Sequence, residues 1–202
     1  LLVKKFAKQL NVNPIVAKIL LQRGYSDVLS ARHFLQPDPT DFYDPNLMHG
    51  MQKGVARIKQ AIQSGEKITV YGDYDADGLT STSIMYETLR KLGAQVNYYI
   101  PNRFRDGYGP NQHAFHRIIS HGTKLIITVD NGVAGHDSVA LANQLGCDVI
   151  ITDHHGLPDP VPDAYTIIQA RYPGGHYPFG DLCGAGVAFK ISTALLGKIP
   201  QD

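Results

Sequence analysis

The sequence has few cysteines, no long apolar run and little net charge. Its two cysteines, Cys147 and Cys183, are too few and too far apart for a disulfide scaffold or a zinc site, so we expect a reducing cytoplasm. No stretch reaches the roughly 18 apolar residues of a membrane-spanning helix, and no charged-then-apolar leader opens the chain. A formal net charge of +1 with 43% hydrophobic residues excludes a disordered chain. These absences leave a globular protein whose 202 residues fit one domain with a small extra lobe.

The first part of the chain, residues 1–65, is predicted to be a small helical region. Asn13-Pro14 is a favourable helix start, because asparagine caps a helix and proline is tolerated in its first turn. Ser26-Asp27 opens a second short helix, and a third runs roughly from Met51 to Gln63 and ends at Gly65. This region is net basic and the remainder of the chain is net acidic, which fits a nucleic-acid-binding lobe but also ordinary solvated helices.

The second part, residues 66–202, is predicted to be an α/β domain with a mostly parallel sheet flanked by helices. Helices near residues 79–92, 112–121 and 136–145 alternate with apolar runs rich in β-branched and aromatic residues. Such alternation produces right-handed crossovers between parallel strands. The predicted strands are Ile68–Tyr71, Val96–Ile100, Leu125–Val129, Val149–Thr152 and Tyr165–Ile168.

Carboxylates and imidazoles follow three of these strands. Because the carboxyl ends of parallel strands meet at one edge of a sheet, these side chains are expected to converge there. A single aspartate in such a place is most often a helix cap, but three strand ends converging by chance is a much rarer event. The residues are Asp73, Asp75 and Asp77 after the first strand, Asp130 after the third, and Asp153, His154 and His155 after the fourth.

Carboxylates this close together repel one another, so a stable site needs cations among them. The segment Asp73–Gly78 matches the first half of an EF-hand loop, but position twelve of that loop would be Ile84 instead of the required glutamate. Oxygen ligands with at least one imidazole and no thiolate suit Mn²⁺ or Mg²⁺ better than structural zinc. Two ions a few ångströms apart fit this many ligands and would suit phosphoester hydrolysis.

Six stretches of the sequence together resemble the DHH phosphoesterase superfamily, and within it the nuclease branch of bacterial single-strand-specific 5′→3′ DNA exonucleases. The resemblance covers nearly the whole chain, including the N-terminal helices. Five of the stretches are motifs: Val70–Gly78, Val129–Gly132, Thr152–His155, Ile100–Arg103 continuing into Gly107–Gly109, and Gly184–Lys190. The sixth is the helical region over residues 14–63.

The resemblance implies a role for each acidic residue and histidine. Asp75 and Asp77 would each bind one metal ion, Asp130 would bridge the two ions, and His154 would complete the second site. His155 would lie behind the metal or on the scissile phosphate. Two residues would have supporting parts: Asp153 would orient the imidazoles, and Asp73 is the weakest metal ligand, because its alternate spacing leaves a structural role equally open.

Substrate contacts are expected from two cationic residues. Arg103 is the candidate phosphate clamp, because a guanidinium fork matches phosphate oxygens. His136 begins a helix and is a weaker phosphate candidate, for which capping or packing is an equal alternative. Arg105 fits an ordinary exposed charge, and Tyr108 fits packing better than base stacking. Structural roles in turns and close backbone approaches fall to Gly78, Gly132, Gly184 and Gly186.

Two departures from the family pattern qualify the resemblance. Tyr71 stands where the pyrophosphatase branch has a histidine, which favours the nuclease branch and leaves one metal site short of a ligand. The fourth family motif, the C-terminal domain and the oligonucleotide-binding fold are missing after Lys190. The chain therefore resembles an N-terminal part truncated before the fourth motif, and we expect it to be weakly active or inactive by itself.

The expected function of the parent protein is two-metal hydrolysis of single-stranded DNA from its 5′ end, for DNA repair and recombination in a bacterial cytoplasm. A helicase or a single-strand-binding protein is a candidate partner of the full-length form. Two alternatives stay open: a phosphodiesterase for short oligonucleotides or cyclic dinucleotides, and a non-catalytic replication scaffold. The three intact acidic motifs argue against the scaffold.

Overall fold

A computed structural model describes residues 1–199 of the protein, which fall into two compact units divided after Phe42. The division differs from the domain boundary near residue 65, because the helix over residues 51–63 packs within the second unit. The boundary predicted from the sequence, between residues 65 and 66, marks the start of the α/β domain and stays a prediction. Within the described residues, no helix has both the length and the apolar character needed to cross a membrane.

The first unit is a cluster of short helices: α1 (Leu2–Leu10), α2 (Pro14–Gln22), α3 (Val28–Leu35) and a 3₁₀ turn over Pro39–Asp41. The predicted caps are present: Asn13 Oδ1 accepts a hydrogen bond from the Ile15 amide, and Asp27 Oδ1 accepts one from the Ser30 amide. One face of each helix supplies a small apolar core, whose buried members are Phe6, Ala7, Leu10, Ala17, Leu20 and Ala31.

The second unit is built on a five-stranded parallel sheet within the described residues, so the predicted α/β fold is confirmed. Each predicted strand is present, with ends shifted by one or two residues. After a 3₁₀ turn (Pro45–Leu47), the elements are α4 (Met51–Gln63), β1 (Lys67–Tyr71), α5 (Ala76–Lys91), β2 (Gln95–Tyr99), α6 (Gln112–Ser120), β3 (Thr123–Val129), α7 (His136–Gln144), β4 (Asp148–Thr152), β5 (Thr166–Ile168) and α8 (Gly184–Leu196).

Alternate residues of each central strand enter two separate apolar cores, because successive side chains of a strand point to opposite faces. On one face Ile127 and Ile150 pack among α4, α5 and α8. On the other face Ile126 and Ile151 pack against α6 and α7. Central strands covered on both faces must be apolar throughout, which explains why the sequence shows continuous apolar runs here instead of alternation.

The strand order β2-β1-β3-β4-β5 creates the position of the functional site. The chain leaves β1 toward one edge of the sheet and leaves β3 toward the other, so the connections diverge between these two neighbouring strands. A crevice forms at such a switch point, outside the carboxyl ends of the strands. Tyr71 at the end of β1 is in register with Thr128 of β3, and Val129 is in register with Thr152 of β4. The segments that follow the three strands therefore start side by side.

Candidate metal centre

The segment after β1 supplies three carboxylates in three different environments. Asp73 is 2% exposed, and its Oδ1 accepts a 2.7 Å hydrogen bond from the Tyr74 amide. Asp75 is exposed and caps α5, since its Oδ1 accepts from the Gly78 amide at 2.8 Å. Asp77 lies in the first turn of α5 and is half-buried. The three aspartates thus reach the same crevice, Asp73 and Asp75 from the turn before α5 and Asp77 from the first turn of that helix.

Asp77 is held by the N-terminus of α8. Its two carboxylate oxygens accept hydrogen bonds from the backbone amides of Gly184 at 2.6 Å and Ala185 at 2.8 Å. Burial pulls the pKa of Asp77 upward, but these amide hydrogen bonds outweigh it, so the pKa lies below its ordinary value. Asp77 therefore stays ionised, and its carboxylate is fixed in orientation by a helix distant in sequence.

Asp130 is the central carboxylate of the crevice. It is 2% exposed and has a left-handed backbone, with φ of 61°, which turns the chain sharply at the end of β3. Burial, with the negative charges of Asp77 and Asp75, raises the pKa of Asp130 from 3.8 to about 8. Its buried Oδ1 has no hydrogen-bond partner among residues 1–199, although His154 Nε2 lies 3.1 Å away. A buried carboxylate oxygen left in this way requires a cation or a proton.

Asp153 organises the segment after β4. Its Oδ1 accepts from the amides of His154 (2.7 Å) and His155 (3.1 Å) and lies 2.7 Å from His155 Nδ1, while its Oδ2 accepts from the Val133 amide at 3.1 Å. The aspartate thus orients the His155 ring directly and His154 through its backbone. Burial lowers the pKa of His155, but the hydrogen bond and charge of Asp153 outweigh it, so the pKa is raised.

Two groups of potential ligand atoms fit divalent cations in this crevice. Donor atoms of Asp73, Asp75 and Asp130 lie within 4.8 Å of one another, as do those of Asp130, His154 and His155. Asp130 belongs to both groups, and Asp77 Oδ2 lies 3.6 Å from His154 Nε2. Carboxylate oxygens with imidazole nitrogens suit Mn²⁺ or Mg²⁺, and a cation would relieve both the orphaned oxygen and the mutual repulsion of the carboxylates.

The structure places a carboxylate oxygen of Asp73, the weakest of the expected ligands, within 4.8 Å of donor atoms of Asp75 and Asp130. Burial raises the pKa of Asp73, and the nearby Asp75 charge adds to this, against the hydrogen bond from Tyr74. Asp73 therefore shares its surroundings with the carboxylates that the sequence ranked above it. Its spacing alone did not reveal this, because the turn between β1 and α5 breaks the alternation of the strand.

The two candidate phosphate contacts differ in their surroundings. The exposed Arg103 lies over the ring of Tyr74, 5.6 Å from its centroid, and so beside the segment that carries Asp73 and Asp75. His136 Nε2 instead lies 2.8 Å from the carbonyl oxygen of Pro160, a packing contact at the start of α7. Both phosphate roles stay predictions.

Three of the four selected glycines are sterically required. A Cβ at Gly184 would lie 2.5 Å from Asp130 Oδ1, and one at Gly78 would lie 2.5 Å from the Cβ of Asp73. Gly132 has a φ of 121°, and a Cβ there would clash with the hydroxyl of Thr128. Gly186 differs, because a Cβ there would meet only a leucine side chain at 3.1 Å. The first three glycines let backbone and carboxylates approach closely around the crevice.

Two residues near the crevice had no place in the predicted site: Asn131 had no assigned role, and Tyr108 was expected only to pack. Asn131, 1% exposed, donates from Nδ2 to the carbonyl oxygens of Gly72 and Val129, and so ties the end of β1 to the end of β3. Tyr108 meets His155 edge-to-face at 6.4 Å, and both line a cavity of about 220 Å³. The position of Asn131 directly after Asp130 was the available signal; the Tyr108 contact had none.

The fold and the crevice together define an α/β protein with a carboxylate–imidazole centre suited to divalent cations at its switch point. Comparison with known families then identifies it: residues 67–201 match the DHH family, N-terminal domain, and the chain belongs to this family. The predicted relationship to the DHH exonucleases named RecJ is also confirmed. The chain is 52% identical over 200 residues to the single-stranded-DNA-specific exonuclease RecJ of Bacillus subtilis strain 168, covering 99% of the chain and 25% of that relative.

Solved structures agree with this relationship. RecJ from Thermus thermophilus in complex with Mn²⁺ superimposes with a TM-score of 0.73 at 29% identity, over 98% of this chain and 28% of that one. A crystal structure of an exonuclease RecJ bound to manganese gives a TM-score of 0.67 at 35% identity, over 76% of this chain and 40% of that one. The chain thus spans between a quarter and two fifths of these proteins.

Proposed function

We propose that the full natural protein hydrolyses phosphodiester bonds of single-stranded DNA from the 5′ end, with two Mn²⁺ or Mg²⁺ ions, in DNA repair and recombination. The observation that carries the proposal is the pair of ligand groups that share Asp130. Its support in sequence is the likeness to relatives named single-stranded-DNA-specific exonucleases. When bound, the ions supply the Lewis acidity that activates water and offsets charge on phosphorus.

In this proposal Asp75 and Asp77 would each help to hold one ion, Asp130 would contribute to both, and His154 would complete the second set of ligands. The distances of Asp130 Oδ1 and Asp77 Oδ2 from His154 Nε2, 3.1 Å and 3.6 Å, support the second group. The amides that bind Asp77 leave it able to coordinate, because a carboxylate offers about four lone-pair sites. Asp73 adds an oxygen beside Asp75.

His155 and Asp153 would contact and orient the substrate. Asp153 holds His155 through Nδ1, which leaves Nε2 as the ring nitrogen available to a phosphate oxygen. Because the pKa of His155 is raised, this nitrogen carries a proton over a wider pH range than a free imidazole. Arg103 binds a neighbouring phosphate, and His136 is a more distant phosphate contact.

We assign residues 1–65 to a helical N-terminal region and residues 66–202 to the DHH phosphoesterase domain. The protein acts in the bacterial cytoplasm, where a helicase or a single-strand-binding protein supplies single strands. The support is the relationship to bacterial RecJ proteins and the two free cysteines.

The test is hydrolysis of a labelled single strand by the full natural protein with Mn²⁺. Asp130→Asn keeps the shape of the side chain but removes its charge, and we expect a rate loss of at least about 100-fold, since losing a residue that only orients a metal ligand already costs about 10- to 100-fold. Asp163→Asn, on an exposed carboxyl before β5, is the matched control and should leave the rate unchanged. Full activity of Asp130→Asn would refute the assignment.

The substrate range separates the alternatives within the same experiment. A 5′-labelled long strand should release mononucleotides, and its duplex should resist. Preference for a dinucleotide or cyclic dinucleotide would favour the small-substrate phosphodiesterase. Absence of hydrolysis on every substrate, with Mn²⁺ bound, would favour the scaffold.

A further inference from the structure

The loop between β2 and α6, residues 101–111, is braced by its own hydrogen bonds. Asp106 Oδ2 accepts from the hydroxyl of Tyr99 at 2.6 Å and from the Asn102 amide at 2.8 Å, and its Oδ1 accepts from Arg105 Nε at 3.0 Å. These bonds hold the pKa of Asp106 well below its ordinary value, with the Arg105 hydrogen bond the largest cause, so the brace is charged at neutral pH. These hydrogen bonds connect the loop to itself and to the end of β2.

The same loop is anchored to the sheet below it. The fully buried Tyr71, at the end of β1, donates from its hydroxyl to the carbonyl oxygen of Gly109 at 3.0 Å. Asn111 Nδ2 donates to the carbonyl oxygen of Asp106 at 3.2 Å. Tyr71 thus supports the loop from the end of β1.

Phe104 lies on this hydrogen-bonded loop with its ring in solvent. It is 97% exposed, whereas the next most exposed aromatic residues, Tyr98 and Tyr108, are 60% and 59% exposed. Its amide donates to Asn102 Oδ1 at 3.0 Å, so the turn that presents the ring is itself hydrogen-bonded. A phenylalanine this exposed adds nothing to the core, and the whole face of its ring is accessible to a ligand.

The loop reaches the candidate metal centre on both sides of Phe104. The preceding residue, Arg103, lies over Tyr74, between Asp73 and Asp75 in the chain. After Phe104 in the chain, the ring of Tyr108 packs edge-to-face against the ring of His155. A DNA single strand with one phosphate at the crevice would pass both the guanidinium of Arg103 and the exposed ring of the adjacent Phe104.

We propose that Phe104 is a stacking platform for a base of the single strand, with Arg103 on the adjacent phosphate; this rests on the proposed function. Aromatic side chains bind single-stranded nucleic acid by stacking, because every base has a π-face, and a positively charged neighbour follows the backbone. Phe104 contributes affinity that is independent of sequence and of salt. Arg103 contributes the salt-dependent part.

Binding is measured in the full natural protein carrying Asp130→Asn, so that the strand is not degraded. A single strand with 2-aminopurine near its 5′ end reports stacking by fluorescence quenching and affinity by titration. Phe104→Ala should lose the quenching and weaken binding about fivefold or more, while Phe104→Trp should retain both. Tyr98→Ala, an exposed aromatic on β2 that packs against Tyr86, is the control and should bind like the parent.

The salt dependence distinguishes a base contact from a phosphate contact. Phe104→Ala should leave the slope of log affinity against log salt unchanged, whereas Arg103→Ala should reduce it by about 0.7. The stacking proposal would be overturned if Phe104→Ala bound the single strand as well as Tyr98→Ala does. It would also be overturned if Phe104→Ala impaired binding of a protein partner and left binding of the single strand intact. Failure of the proposed function is read separately, as intact hydrolysis by Asp130→Asn or no hydrolysis by the unaltered protein.

Discussion

Replacing Asp130 by asparagine should make the metal-free protein more stable at alkaline pH while it destroys metal binding. The carboxyl has a pKa of 3.8 when unfolded and about 8 in the fold, so the folded state holds its proton more tightly. Stability is therefore lost as pH rises from about 4 to about 8, because the unfolded state releases the proton first. Asp130→Asn removes this dependence.

The size of the effect follows from the width of that window. Each pH unit between the two pKa values contributes about 1.4 kcal/mol, so the change from pH 5 to pH 8 is at most about 4 kcal/mol for this one group. The carboxyl is 2% exposed, so solvent screens little of it. Other titrating groups, including Asp73, are present in both proteins and largely cancel in the difference.

The assay is urea unfolding in EDTA at pH 5 and pH 8, followed by circular dichroism. The variant should gain on the unaltered protein by about 2–4 kcal/mol over that range. Adding Mn²⁺ at about 100 times its dissociation constant should then stabilise the unaltered protein by about 2.7 kcal/mol, and the variant by much less. If the free energies of unfolding of the two proteins changed in parallel with pH in EDTA, the buried Asp130 charge would not be the source of the pH dependence. Equal stabilisation of both proteins by Mn²⁺ would show that Asp130 does not contribute to metal binding.

Three further outcomes are expected. Gly184→Ala places a Cβ 2.5 Å from Asp130 Oδ1 and should weaken Mn²⁺ binding in calorimetry by about tenfold or more, whereas Gly186→Ala should change it little; equal losses would contradict the steric argument. Asp153→Ala removes the main contribution that raises the pKa of His155, so the pKa should fall in an NMR titration of the histidine, and an unchanged value would show that another group supports the ring. The purified 202-residue chain should degrade single-stranded DNA weakly or not at all, and robust Mn²⁺-dependent degradation would prove that expectation wrong.

The sequence predicted the elements of the sheet well because their signals are local. Apolar runs mark the central strands, and the glycine after each of three helices adopts a left-handed conformation, as at Gly93 with φ of 79°. The start of α5 is Ala76, three residues before the predicted start. Asp75 caps the helix there, a role that is expected of a lone aspartate after a strand but that was not assigned to Asp75 itself.

The site was predictable in its composition but not in its contacts. Convergence of three strand ends follows from parallel topology alone, and the side chains of Asp130 and His154 do meet. The amides of α8 that hold Asp77 come from more than a hundred residues away, and no local pattern reports such a pairing. The same holds for Tyr71 under the loop that presents Phe104, since both its hydroxyl partner and its burial arise only in the folded sheet.

The bond between Asp77 and the start of α8 sets the smallest excised domain that can preserve this centre. A piece ending before Gly184 would retain every acidic and histidine ligand of the crevice, yet Asp77 would lose both amide donors that orient it. It would also lose the buried hydrogen bond between Thr88 of α5 and Ser192 of α8, 2.6 Å long. Deletion mapping of metal binding should therefore find its boundary after the last ligand in the chain, within a helix that contributes no ligand itself.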